Sequence, residues 1–104
     1  SNNSVAVVTL SGSTPLPTEI TLNRAYPNPF NPSTTLSFNL PHQVEVSLAI
    51  YNLQGREVST LISGDMDAGY HSVIWNADAQ ASGVYFVKMA AGEYVNIQKL
   101  MLIK

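Results

Sequence analysis

The sequence predicts an all-β domain, an antiparallel β-sandwich of about seven strands. Apolar and polar residues alternate along most of the chain, and turn residues interrupt the alternation about every eight to twelve positions. No segment has a convincing 3.6-residue period, so we expect very little helix. The 104 residues are enough for one domain and too few for two.

Composition excludes several classes of function. The chain is 45% hydrophobic and 12% charged, which fits a packed fold rather than a disordered chain or a coiled coil. Five Lys and Arg against seven Asp and Glu give a net charge of −2 without basic runs, so we expect no nucleic-acid partner. No apolar stretch approaches the ~20 residues of a transmembrane segment. The absence of cysteine removes disulfide scaffolds, zinc knuckles and thiol catalysis.

The N-terminal third contains one short strand and two segments of loop composition. Residues 5–10 form an apolar run, and residues 11–17 have the serine, glycine and proline content of a linker. Residues 26–32 (YPNPFNP) hold three prolines, which favour extended backbone in the residues before them. This segment could be a docking peptide for an aromatic groove, or a lead-in whose Tyr26 and Phe30 plug the end of the core, which we favour.

The middle of the chain predicts a strand followed by a hairpin. Residues 34–40 put three apolar side chains on one face and polar ones on the other. Residues 44–51 alternate in the same way and end at a turn in which Gly55 can adopt a positive φ. Residues 57–62 follow as the partner strand of that hairpin.

The C-terminal third predicts three more strands. Residues 70–76 and 84–91 have the pattern of central strands. Residues 94–104 end in a run that is apolar on both faces, so either both faces are covered or a partner covers one of them. The predicted core, whose members share faces at a period of two, consists of Leu36, Phe38, Leu48, Ile50, Val73, Trp75, Tyr85 and Val87.

Asp65 and Asp67 resemble the first half of a calcium loop. The glycine and glutamate that an EF-hand needs at its sixth and twelfth positions are replaced by Tyr70 and Asn76. We therefore interpret residues 65–69 as a hairpin turn with solvated carboxylates and predict no metal site.

Catalytic chemistry has few candidate residues. His42 and His71 are the general bases available near neutral pH, and neither has a serine or aspartate at a spacing that suggests a triad. There is no glycine-rich phosphate loop. We predict no catalytic residue, no enzymatic activity and no cofactor.

Five strings of the sequence occur together in the order and spacing of a known family. They are YPNPFNPSTTLSFNLP (26–41), VSLAIYNLQGREVSTL (46–61), AGYHSVIWN (68–76), ASGVYFVKMAAGEY (81–94) and QKLMLIK (98–104). The combination resembles the type A C-terminal sorting domain of the type IX secretion system, and also the related Ig-like domain of the flagellar hook-capping protein. It covers about residues 20–104.

The resemblance implies an Ig-like β-sandwich at the C-terminus of a larger exported protein. The partners it implies are the type IX machinery of the outer membrane, in bacteria of the Bacteroidota type, and an N-terminal cargo domain in the same polypeptide. The destination is the cell surface or the medium, reached through the periplasm. Residues 20–104 would form the sorting domain, and residues 1–19 a linker or the end of a preceding domain.

The resemblance also suggests which residues the translocon recognises. Gly83 and Tyr85 match the G-x-Y strand of the family, and Lys99 and Lys104 match its terminal basic and apolar strand. An apolar strand at a sheet edge exposes backbone groups with which another strand can pair. The predicted recognition residues are therefore Gly83, Tyr85, Lys99, Leu100, Met101, Leu102, Ile103 and Lys104.

Two alternatives belong to other classes of function. The domain could be an Ig-like adhesive or binding module, for which Tyr51, Phe86 and Tyr94 are candidates for an exposed aromatic patch unless Phe86 is buried between the sheets. It could also be a structural module of a surface enzyme or a filament cap, following the hook-capping resemblance.

Overall fold

The computed structural model describes residues 16–104, which form an antiparallel sandwich of two sheets. The strands are β1 (Thr21–Leu22), β2 (Ser33–Leu40), β3 (Val44–Asn52), β4 (Glu57–Met66), β5 (Gly69–Asn76), β6 (Gly83–Ala91) and β7 (Tyr94–Leu102). One sheet has the order β1-β2-β5 and the other has the order β4-β3-β6-β7. The all-β sandwich prediction is confirmed. The predicted strand at residues 5–10 lies outside the described residues, as do residues 11–15 of the predicted linker.

The fourth strand distinguishes this sandwich from the constant-type immunoglobulin arrangement, in which strands one, two, four and five share a sheet. Here β4 pairs with β3 as far as Met66, whereas β5 pairs with β2 from Gly69 onward. The two residues between them carry the chain from one sheet to the other. The expected hairpin turn at residues 65–69 is therefore wrong, because its two flanking strands belong to different sheets.

The hairpin between β3 and β4 is confirmed. Gly55 has a φ of +85°, which a residue with a Cβ rarely adopts. The side chain of Asn52 holds the turn, because its Oδ1 accepts hydrogen bonds from the backbone N–H groups of Gln54 (3.0 Å) and Arg56 (2.9 Å).

The core lies between the two sheets and follows the period-two pattern. On β2 every second side chain is buried, and Leu36, Phe38 and Leu40 have no exposed surface. Seven of the eight predicted core residues are buried; the eighth, Val73, packs against the core but is only partly covered. Val73 lies on β5, an edge strand of the smaller sheet, so within residues 16–104 one flank of its side chain has no neighbouring strand. The prediction that residues 70–76 form a central strand is therefore wrong, whereas β6, predicted as residues 84–91, does lie between two strands.

An aromatic cluster closes one end of the core. The ring of Trp75 lies 5.5 Å from that of Phe30 and 5.4 Å from that of Tyr85, between ring centroids. Phe30 is buried, as the plug interpretation of the proline-rich segment expects, but Tyr26 is 80% exposed. The expectation that Tyr26 also fills the core is wrong: its backbone pairs with Thr35 while its side chain points into solvent.

Replacing Trp75 with alanine removes the central ring of this cluster. Because the side chain is only 4% exposed, we expect a loss of about 3–5 kcal/mol in the free energy of unfolding, a large part of the ~5–15 kcal/mol of such a domain. Chemical denaturation monitored by circular dichroism measures this change in the free energy of unfolding. Ile74→Ala is the matched control, because Ile74 is the next residue on β5 and is exposed; its effect should stay within about 0.5 kcal/mol. Superimposable denaturation curves for Trp75→Ala and the unmodified chain would contradict this account of the core.

Candidate functional site

Strand β7 forms an edge of the four-stranded sheet, so within residues 16–104 only one side of its backbone pairs with another strand. Its side chains alternate strictly. Leu100 and Leu102 point into the core and are buried, whereas Lys99 and Met101 lie on the outer face. The sequence left two options for this run: either both of its faces are covered, or a partner covers one of them. In the described part of the chain the core covers the inner face, and nothing covers the outer face.

The structure divides the predicted recognition residues into two groups. Tyr85, Leu100 and Leu102 are buried. The exposed group consists of Gly83, Lys99, Met101, Ile103 and Lys104. A partner that meets the folded domain can contact only the second group directly.

Tyr85 has a structural position. Its side chain is 6% exposed, and its hydroxyl donates a hydrogen bond of 2.6 Å to the backbone carbonyl of Ala81, four residues earlier. A tyrosine near the start of the sixth strand that bonds back to the preceding connection is the tyrosine corner of immunoglobulin-like sandwiches. This arrangement fixes the loop between β5 and β6, and the G-x-Y pattern is the sequence signal for it.

Gly83 and Lys104 meet where this loop faces the end of the chain. Gly83 begins β6 opposite Leu102 with a φ of +151°, a conformation that residues with a side chain rarely adopt. Beside it, the backbone N–H of Lys104 donates to the hydroxyl of Ser82 (3.2 Å), and the Lys104 ammonium group donates to the backbone carbonyl of Asp78 (2.6 Å). The last residue is therefore held over the β5–β6 loop.

The proline-rich segment covers the outer edge of β7 at its C-terminal end. The Asn28 side chain donates to the carbonyl of Lys99 (3.0 Å) and accepts from the N–H of Met101 (3.1 Å). The backbone of Phe30 then donates to the carbonyl of Met101 and accepts from the N–H of Ile103, both at 2.9 Å. The expectation of an open backbone edge along residues 100–103 is therefore wrong. Residues about seventy positions apart make these contacts, and the alternation pattern carries no signal for them.

The aromatic residues of the alternative, adhesive interpretation are separated by the structure. Tyr51 and Phe86 are direct partners on β3 and β6, on the face of the sheet that points away from the core, so Phe86 is not buried between the sheets. Tyr94 faces the opposite way, and its hydroxyl accepts a hydrogen bond of 3.0 Å from the N–H of Leu22. Leu53 and Ile97 extend the outer patch.

The candidate chemical residues have local roles. His71 stacks on Phe38, with ring centroids 5.2 Å apart, and its Nε2 donates to the backbone carbonyl of Asp67 (2.7 Å). Asp65 and Asp67 are exposed. Within residues 16–104, no three side chains of the metal-binding types come together. The described part of the chain also contains no helix that is long and apolar enough to cross a membrane.

Comparison with known proteins gives one family and one solved structure. The model of the family described as the secretion system C-terminal sorting domain matches residues 24–104. The fold is similar to part of PorZ from Porphyromonas gingivalis, described as an essential bacterial surface component of the type IX secretion system, with 24% sequence identity and a TM-score of 0.56. The match covers 78% of this chain and 11% of that one. No curated protein matches the sequence.

Removing the hydroxyl of Tyr85 tests the tyrosine corner. Tyr85→Phe keeps the ring against Trp75 but leaves the Ala81 carbonyl without its donor, so we expect a loss of about 0.5–1.5 kcal/mol in the free energy of unfolding. Tyr51→Phe is the control, because that side chain lies on the outer face of the sheet. Denaturation midpoints that fall equally in both variants would argue against a specific contribution from the corner.

Removing the side chain of Asn28 tests the closure of the β7 edge. In Asn28→Ala the N–H of Met101 loses its acceptor, whereas the N–H of Ile103 keeps the Phe30 carbonyl. We expect hydrogen exchange, followed by NMR, to accelerate at Met101 by roughly tenfold, as the loss of about one hydrogen bond predicts, and to change less at Ile103. Asn31→Ala, in the same segment, should leave both rates unchanged. Equal acceleration at Met101 in both variants would show that Asn28 does not protect this edge.

Proposed function

Because this chain belongs to the family of secretion system C-terminal sorting domains, we propose that the type IX machinery recognises it through the exposed side chains of its terminal strand. The domain is a C-terminal sorting signal for type IX secretion. This route exports the protein that contains the domain through the periplasm, either to the cell surface or into the medium. The observation that carries this assignment is the family match over residues 24–104. The sandwich fold supports it.

A sorting domain of this kind is in general a non-catalytic tag, associated with the type IX system and attached to cargo on its N-terminal side. We propose that this chain has no catalytic activity of its own and that any activity of the exported protein resides in the cargo. We also propose that the domain has no nucleic-acid partner. Its net charge of −2 and the scattered positions of its cationic residues support this.

The sorting domain is proposed to begin at residue 20, a few residues before the family match. Ile20 packs against the core and Leu22 is buried within it. Thr21 and Leu22 pair with β2, and the N–H of Leu22 donates to the Tyr94 hydroxyl. These contacts support residues 20–104 as the smallest transferable unit, with residues 1–19 as a linker or the end of a preceding domain.

The proposed recognition surface consists of the exposed residues Lys99, Met101, Ile103 and Lys104. Two ammonium groups flank two exposed apolar side chains along residues 99–104, so a partner can gain both orientation and apolar burial from this one short segment. Gly83, Tyr85, Leu100 and Leu102 are proposed to contribute indirectly, by holding this strand in the sandwich.

Neutralising the two lysines tests recognition without deleting the strand. The full chain, fused behind a reporter that carries a Sec signal, should direct the reporter to the surface of a bacterium with a type IX system. With Lys99→Gln and Lys104→Gln together, we expect the reporter to accumulate in the periplasm. Fractionation and immunoblotting measure its distribution.

The matched controls are Asp65→Ala and His42→Ala, two exposed residues outside the proposed surface, which should be secreted normally. Thermal denaturation of the purified double variant separates loss of recognition from loss of folding. A folded double variant that reaches the surface at the unmodified rate would refute recognition through these lysines. Failure of the unmodified fusion to leave the periplasm would instead refute the sorting function itself.

A further inference from the structure

The backbone of β7 alternates between groups that pair with β6 and groups that point outward. In an antiparallel ladder, every second residue exchanges both of its hydrogen bonds with its partner and the residues between direct theirs away. Met101 bonds outward, to Asn28 and Phe30. The same alternation places the N–H and C=O groups of Val95, Ile97 and Lys99 on the outer edge of the sheet.

Only part of this edge is occupied. Asn28 satisfies the carbonyl of Lys99. Elsewhere in residues 16–104, no group hydrogen-bonds to the outward N–H and C=O of Val95 and Ile97 or to the N–H of Lys99. Three donors and two acceptors therefore remain open along residues 95–99, and the Val95 and Ile97 side chains beside them are 57% and 59% exposed.

A groove runs beside the same edge. Asn96, Gln98 and Lys99 of β7 line one side, and residues 24–29 line the other. Arg24 gives the groove a cationic side chain, and no carboxylate lines it. Lys99 adds a second cationic side chain on the outer face of the same edge. The side chain of Gln98 holds the two sides together, because its amide donates to the carbonyls of Leu22 and Asn23, each at 3.0 Å.

We propose that this edge binds an extended acidic segment of another protein chain as an added strand of the four-stranded sheet. The backbone of the segment pairs with Val95, Ile97 and the N–H of Lys99. Its side chains alternate, as in any strand. Those that face the groove carry carboxylates toward Arg24, and those on the outer face are apolar beside Val95 and Ile97, with Lys99 available to a further carboxylate.

The neighbours of the edge set the length of this segment. Asn28 stops it beyond Lys99, and the β6–β7 turn at residues 92–93 marks the other end. The open edge spans residues 95–99, about 17 Å at ~3.4 Å per residue, which suits a segment of about five residues. This inference goes beyond the sorting function, because it concerns what the edge of the sheet binds. It does not depend on the route by which the domain is exported.

A short capped peptide of alternating valine and glutamate, added to the full chain, tests the proposal. NMR titration should shift the amide resonances of Val95, Ile97 and Lys99 and slow their hydrogen exchange. A peptide with lysine in place of glutamate tests the charge preference, and an N-methylated copy of the valine–glutamate peptide tests backbone pairing. We expect each replacement to weaken binding by roughly tenfold or more, the factor given by about one hydrogen bond.

The matched variants are Ile97→Pro and Ile97→Ala. The proline variant lacks the N–H of residue 97, which points away from β6, so no hydrogen bond within the sheet is lost. The alanine variant keeps this N–H and lacks the isoleucine side chain beyond Cβ. Binding should weaken roughly tenfold more in Ile97→Pro than in Ile97→Ala. If Ile97→Pro does not fold, Arg24→Gln provides a second test and should weaken the binding of the glutamate peptide but not that of its lysine counterpart. Resonance shifts confined to other surfaces, no shifts at all, or equal binding of the N-methylated peptide would overturn the proposal.

Discussion

The position of Phe30 determines how one end of the sandwich is closed. Its side chain packs against Trp75, which belongs to the three-stranded sheet, while its backbone bonds to Met101 and Ile103 at the end of the four-stranded sheet. One residue therefore joins the two layers both by apolar packing and by hydrogen bonding. The prolines on either side of Phe30 support this, because they restrict the backbone of the segment before folding and so lower the entropy lost on docking.

The same contact determines which part of the terminal strand a partner can reach. Where residues 28–30 lie against β7, the backbone is satisfied and a partner has only side chains to contact. Along the rest of residues 95–99, beyond the Lys99 carbonyl that Asn28 satisfies, the outward backbone groups have no partner among residues 16–104. A long open edge invites indiscriminate pairing with other chains, and covering part of it limits such pairing to a short stretch. The proline-rich segment thus has two roles: Phe30 fills the end of the core, and residues 28–30 cover part of the β7 edge.

The alternation of apolar and polar residues was sufficient to predict which faces of β2, β3 and β6 are buried. Each of these strands has one buried face, so its apolar residues recur at every second position. It could not predict β1, whose two residues are too few to show a period. A two-residue connection is also compatible with a hairpin, so the pattern could not reveal that β4 and β5 lie in different sheets. The G-x-Y resemblance identified Tyr85 as important, but its role depends on a hydrogen bond to Ala81 that no pattern specifies.

Burial of alternate residues along β7 couples the proposed recognition of this strand to folding. Leu100 and Leu102 are held in the core, and this fixes the direction in which Lys99 and Met101 point. In an unfolded chain the same four side chains would sample many orientations, so a receptor that requires this arrangement binds only the folded population. Its apparent affinity then falls in proportion to the folded fraction. If the machinery recognises the terminal strand as proposed, a core residue such as Trp75 influences sorting without touching the machinery, and the sorting signal reports on the folding of its own domain.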